Sequence, residues 1–146
     1  MIKLYTIGFA TKSAEKFFGL LTSAGVRKIV DTRINNTSQL AGYAKGSDLE
    51  FLAKEIGNIS YEHNTDLAPT KELLTRYRDK EIAWEEYETE YLNLLDMRKI
   101  ASTIDVEKLH ENCLLCSEHT PEKCHRRLLA DYLKHVKNDI EIVHLI

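Results

Sequence analysis

A chain of 146 residues that is 43% hydrophobic can bury one sizeable core, and it is read as a single domain over residues 1–146. A net charge of −3 excludes the broad basic field of a typical nucleic-acid binder, so nucleic acid is not favoured as a partner, although a local basic site stays open. There is neither a signal-peptide pattern nor an apolar run of membrane-spanning length, and three cysteines within twelve residues predict reduced thiols; the expectation is a cytoplasmic protein with no membrane partner.

In chain order, Leu4–Gly8 reads as a strand, and Ser13 opens a helix with Phe17, Phe18 and Leu21 on one face and Gly25 as its stop. Val26–Arg33 reads as a second strand, followed by a polar, asparagine-rich loop from Asn35 to Gly42. The capping-box spacing of Ser47 and Glu50 predicts a helix ending at Gly57, and Ile59–His63 a short third strand. From Pro69 to Ile100 the spacing of Leu73, Tyr77, Trp84, Tyr87 and Tyr91 is helical, and these aromatics are expected in the core. Asn112–Cys116 reads as a buried strand, Pro121–Val136 as a helix with Pro121 in its first turn, and Ile140–Ile146 as the closing strand. Strands alternating with helices predict a three-layer, Rossmann-like α/β domain with a mostly parallel sheet flanked by helices.

Chemistry-bearing residues concentrate at two strand ends. Asp31 and Arg33, two apart on a strand, share a face and can pair or jointly address a ligand. The other group is Cys116, Glu118, Cys124, His125 and Arg126, in the turn between a strand and a helix. Parallel strands send both groups to the same edge of the sheet, where open α/β sheets bind ligands, so the two are expected to face each other. Cys113 lies three residues before Cys116 on a strand and so points to the opposite face, which marks it as a buried small hydrophobe. Zinc would need four donors, available on paper from Cys116, Cys124, His125 and His119. Their spacing fits no established finger, and neither a metal nor a cofactor is expected. If Arg33 and Arg126 are surface ligands for an anion, removing either costs about 0–1 kcal/mol of stability. If they are buried partners, the cost is roughly 3–5 kcal/mol.

These residues also carry a resemblance. Thr6-Ile-Gly8, Asp31-Thr-Arg33 with Ser38 downstream, Tyr61, Leu114-Leu-Cys116-Ser-Glu118 and Cys124-His125-Arg126 resemble the family known as domain of unknown function 488. Phe9 stands where many members have His, and Leu67-Ala-Pro69 where many have a Leu-Gly-Gly turn. The resemblance implies an α/β fold with a shared pocket and names no activity.

Two functions fit the pattern. One is a cysteine-dependent enzyme, a transferase or hydrolase, acting on a phosphorylated or nucleotide-like anionic substrate. In it Cys116 or Cys124 is the nucleophile or redox thiol, Glu118 or His125 moves protons, and Asp31, Arg33, Arg126 and Tyr61 bind the substrate. The alternative is a non-catalytic binding module for a nucleotide or a modified base in nucleic acid, with the asparagine loop and Tyr43 reading and stacking the base.

Overall fold

The computed structural model describes residues 1–37, 42–118 and 120–146. Its strands are β1 (Ile2–Gly8), β2 (Lys28–Asp31), β3 (Ser60–His63), β4 (Asn112–Cys116) and β5 (Ile140–Leu145). The helices are α1 (Ala14–Ala24), α2 (Gly46–Gly57), α3 (Lys71–Arg78), α4 (Trp84–Met97), α5 (Ile100–Thr103) and α6 (His125–Val136). The five strands form one sheet in the order β3-β2-β4-β1-β5, and every pairing is parallel. A three-layer α/β architecture follows, because each face of the sheet carries its own apolar cluster. Phe17, Phe18 and Leu21 of α1 and Leu49 and Ala53 of α2 pack with Ile7, Ile29 and Leu115 on one face. Tyr87, Tyr91 and Leu95 of α4 and Leu128, Leu129 and Leu133 of α6 pack with Leu4, Val30 and Leu114 on the other. Covered on both sides, β4 is buried along its whole length, which is why Asn112-Cys-Leu-Leu-Cys116 reads as a continuous run with no alternation. No helix among the described residues is long and apolar enough to cross a membrane.

The chain order of the sheet fixes where a site can form. From β1 the chain crosses by α1 toward β2 on one side, and from β4 it crosses by α6 toward β5 on the other. The carboxyl ends of β1 and β4, where Gly8 is in register with Cys116, therefore flank the topological switch point.

Local signals set several boundaries. Ser13 caps α1 by accepting the Lys16 N–H at 3.1 Å, and Gly25 closes the helix at φ 79°, a conformation that side chains resist. Two expected boundaries need correction. α2 starts one residue before Ser47, with Lys45 as its N-cap and no side-chain cap bond, and Asn58 at φ 54° ends it after Gly57. α6 starts at His125 and not at Pro121; residues 120–124 form turns, and Cys124 is an extended N-cap at φ −139°, ψ 140°. Proline in a first turn is a weak local preference. Here it loses to contacts that need Cys124 extended toward Cys116 and Arg126 turned into the sheet. The aromatic segment also divides: Tyr87 and Tyr91 are core, whereas Tyr77 and Trp84 are half-buried.

Candidate functional site

A cleft of about 800 Å³ opens at the switch point. Its floor is formed by Phe9, Arg33, Cys116, Ser117, Glu118, Cys124 and His125, and its far wall by Pro69, Leu74, Tyr77, Trp84 and Tyr87 from the α3–α4 region. Arg33 and the turn between β4 and α6 thus share one cavity despite their distance in sequence. Thr32 is the joint between the two groups. Its hydroxyl donates to the Leu115 carbonyl at 2.8 Å, so its oxygen can only accept from His125 Nε2 at 3.0 Å. Nε2 also lies 2.9 Å from the Thr32 carbonyl, which needs a donor, so the ring carries its proton on Nε2 and leaves the Nδ1 lone pair free. Burial pushes the His125 pKa down to about 4, and the ring is neutral near pH 7.

Asp31 and Arg33 form a closed cage. Arg33 Nε and Nη2 donate to the two Asp31 carboxylate oxygens at 2.8 and 2.7 Å, and Nη2 also donates to the Ala44 carbonyl at 2.7 Å. Tyr61 donates its hydroxyl to Asp31 Oδ2 at 2.5 Å and accepts from Asn36 at 2.9 Å; burial first, and then the bond to Asp31, raises its pKa to about 12. The pair is nearly inaccessible, at 5% and 0% side-chain exposure. The Arg33 guanidinium lies 5.2 Å from the centre of the Phe9 ring, and its Nη1 is a buried polar atom with no hydrogen-bond partner among the described residues.

Arg126 is the second buried guanidinium and joins β1 to the end of β4. Nε donates to Thr6 Oγ1 at 3.3 Å, and Nη1 to the Glu118 carbonyl at 2.6 Å and to Cys116 Sγ at 3.2 Å. Burial lowers its pKa to about 10. The turn reaches this close because position 8 is glycine: a Cβ there would lie 1.4 Å from the Glu118 oxygen. Lys12, only 6% exposed, sits near the same guanidinium, and burial together with the Arg126 charge brings its pKa down to about 8.

The Cys116 and Cys124 sulfurs are joined as a disulfide, which corrects the expectation of three reduced thiols. The two cysteines meet across a sequence separation of 8. Cys113 is the free cysteine, wholly buried against Ile29 and Leu115, with its thiol pKa raised by burial.

Residues 13–133 match the family described as Domain of unknown function DUF488. The chain belongs to that family. No curated protein and no solved structure is significantly similar to this DUF488 domain.

Of the expected site residues, the DUF488 cleft gathers Arg33, Cys116, Glu118, Cys124 and His125, whereas Asp31, Tyr61 and Arg126 are not among the described residues lining it. The asparagine loop lines the cleft through Asn35, Asn36 and Thr37; Asn36 also holds Tyr61, and Asn35 Oδ1 accepts from the Thr37 N–H and hydroxyl, both at 2.9 Å. Tyr43 packs on Phe17 and Phe18 and donates to the Lys12 carbonyl, away from the cleft. The expectations on Ser38 and His119 fall outside the described residues. Sequence reading missed Thr32, Lys12 and the lining cations Lys71, Arg78 and Lys123. It also missed the cleft-facing role of Tyr77 and Trp84, whose helical spacing looks the same for a core face and a cavity wall. The ligating atoms of Cys116, Cys124 and His125 lie within 4.8 Å of one another and form a donor set suited to a soft cation once the sulfurs are separated. Joined to each other, neither sulfur can ligate.

Proposed function

We propose that this DUF488 protein is a cysteine-dependent enzyme, a transferase or hydrolase, acting in the cytoplasm on a small phosphorylated or nucleotide-like anion, with Cys116 as nucleophile. One observation carries the reading: Cys116 Sγ lies at the floor of the switch-point cleft with a buried guanidinium N–H 3.2 Å away. A cation at that distance favours thiolate over thiol, and the thiolate is the attacking form. The anionic substrate is supported by the lining. Against a chain charge of −3, the cleft presents Lys71, Arg78 and Lys123, none of them paired with a carboxylate among the described residues, and one carboxylate, Glu118.

In the reduced protein the Cys116 electron pair forms a bond to the electrophilic carbon or phosphorus as the leaving group departs with its own pair. Glu118, exposed on the cleft, takes the proton that the Cys116 thiol gives up and passes it to that group. Water or an acceptor substrate then attacks the sulfur-bound group, returns a proton to Glu118 and releases the thiolate. The bond to Cys124 holds the nucleophile inactive until a cellular dithiol reduces it, with that dithiol becoming the disulfide. His125, neutral and anchored by Thr32, fixes the start of α6 beneath both sulfurs.

The test is iodoacetamide labelling of the reduced Cys124→Ser protein at pH 7, mapped by mass spectrometry, with and without inorganic pyrophosphate. Labelling of Cys116 ahead of Cys113, faster than a free model thiol and slowed by pyrophosphate, is expected. If Cys116 labels only above pH 8.5 while pyrophosphate still binds, the nucleophile is rejected and the non-catalytic binding module stands in its place.

A further inference from the structure

The wall facing the sulfurs has a chemistry of its own. Trp84 and Tyr87 stack with ring centres 5.2 Å apart and planes at 22°, and Tyr77 leans on both at 5.6 and 4.9 Å. Tyr87 is buried beneath, only 2% exposed, so it backs the platform, while Tyr77 and Trp84 keep surface on the cleft. Lys71 and Arg78, at the two ends of α3, and Lys123, in the turn before α6, are exposed cations on the same cleft. A supported aromatic surface next to exposed cations is what a planar ring bearing a phosphate requires: the ring stacks, and the phosphate meets Lys or Arg. At about 800 Å³ the cleft lies within the usual range for small-molecule sites. On the other side, Nη1 of Arg33, without a hydrogen-bond partner among the described residues, is a buried donor on a side chain that lines the cleft. A bound acceptor there removes a penalty that the fold otherwise carries.

We infer that the substrate is a mononucleotide whose base stacks on Trp84 and Tyr77 and whose phosphate is held by Lys71, Arg78 and Lys123. This rests on the reading of the cleft as an anion site and selects a nucleotide over a phosphorylated metabolite that lacks a ring. A phosphosugar would leave the aromatic wall unused, and an uncharged nucleoside would leave the three cations unused.

Trp84 is the only tryptophan in the chain, so its fluorescence reports the platform directly. The reduced protein is titrated with AMP, adenosine and ribose 5-phosphate, with emission and protection of Cys116 from iodoacetamide read in parallel. Saturable quenching by AMP is expected, with weaker quenching by adenosine and none by ribose 5-phosphate. Trp84→Phe should retain AMP protection, whereas Trp84→Ala should weaken it roughly 5- to 150-fold, the range for loss of one base–aromatic stack. Arg78→Glu, at an exposed position, should weaken AMP at least about tenfold while leaving adenosine unchanged. Equal protection by ribose 5-phosphate and AMP with no change in Trp84 emission would overturn the nucleotide inference while leaving the anion cleft intact. Quenching by AMP with an unreactive Cys116 would instead sustain the platform and reject the nucleophile.

Discussion

Gly8→Ala is the most discriminating single change, because it adds one methyl group at the point where β1, the turn after β4 and Arg126 meet. The added Cβ would lie 1.4 Å from the Glu118 carbonyl oxygen and 2.7 Å from Arg126 Nη1. Recovering the 3.0 Å that Cβ contacts need requires the turn to withdraw by roughly 1.6 Å. The blocking atom is backbone, so no side-chain rotation relieves it. Withdrawal breaks the 2.6 Å bond from Arg126 to that carbonyl. A lost charge-assisted bond costs about 1.5–3 kcal/mol and overpacking about 1–3 kcal/mol, so the expected loss is about 2.5–6 kcal/mol. Urea melts monitored by far-ultraviolet circular dichroism give the stability, and iodoacetamide labelling of the reduced protein gives the position of Cys116. Slower Cys116 labelling should accompany the lost stability, since Arg126 also holds that sulfur. A variant within about 0.5 kcal/mol of the parent, with Cys116 labelling unchanged, would refute the close approach on which the site's construction depends.

Asp31→Asn should cost roughly 3–5 kcal/mol in the same melts, because it leaves the Arg33 charge buried without its bidentate partner; Asp31→Asn combined with Arg33→Met should recover part of the loss. For His125 the folded pKa, about 4, lies below the usual 6.5, so the unfolded chain takes up a proton first as pH falls. Its contribution is present above pH 6.5 and is lost as pH falls through 4, a total of about 3 kcal/mol, of which about 2 kcal/mol falls between pH 7 and pH 4.5; His125→Gln should remove that part from the difference between melts at those two pH values.

What could be read from the sequence follows from periodicity and topology. Strand β4, buried on both faces, shows as the unbroken Cys113-Leu-Leu, and the alternation of sides along it separates Cys113 from Cys116. That Arg33 and the Cys116–His125 turn would meet follows from parallel strands alone, before any side chain is placed. The Thr32–His125 bond that joins them was not legible, since a threonine between two charged residues carries no signal of its own. The start of α6 was misplaced because local preference favours Pro121 in a first turn, whereas the observed turn is set by sulfur pairing and by a guanidinium reaching back to β1. The aromatic wall was misread for a related reason. Helical spacing shows that Tyr77, Trp84 and Tyr87 share a side of their helices, but not that a cavity opens against them.

Burial decides which substitutions can speak about function. Arg33 and Arg126 were expected to separate a ligand site from a structural cluster by the stability lost on truncation, at about 0–1 against 3–5 kcal/mol. With exposures of 5% and 0%, both fall in the second class whatever the cleft does, so a large loss at either reports their role in the fold and leaves ligand binding undecided. The same guanidinium that secures the Glu118 carbonyl to β1 also meets Cys116 Sγ, so at the floor of the cleft stability and reactivity share their atoms. The wall differs. Lys71 and Arg78 are exposed and bridge no strands, so a change there bears on the proposed ligand contact while the sheet and the sulfur pair stay in place. Substitutions on the wall, read by the fluorescence of Trp84, therefore separate what the cleft binds from what holds it together.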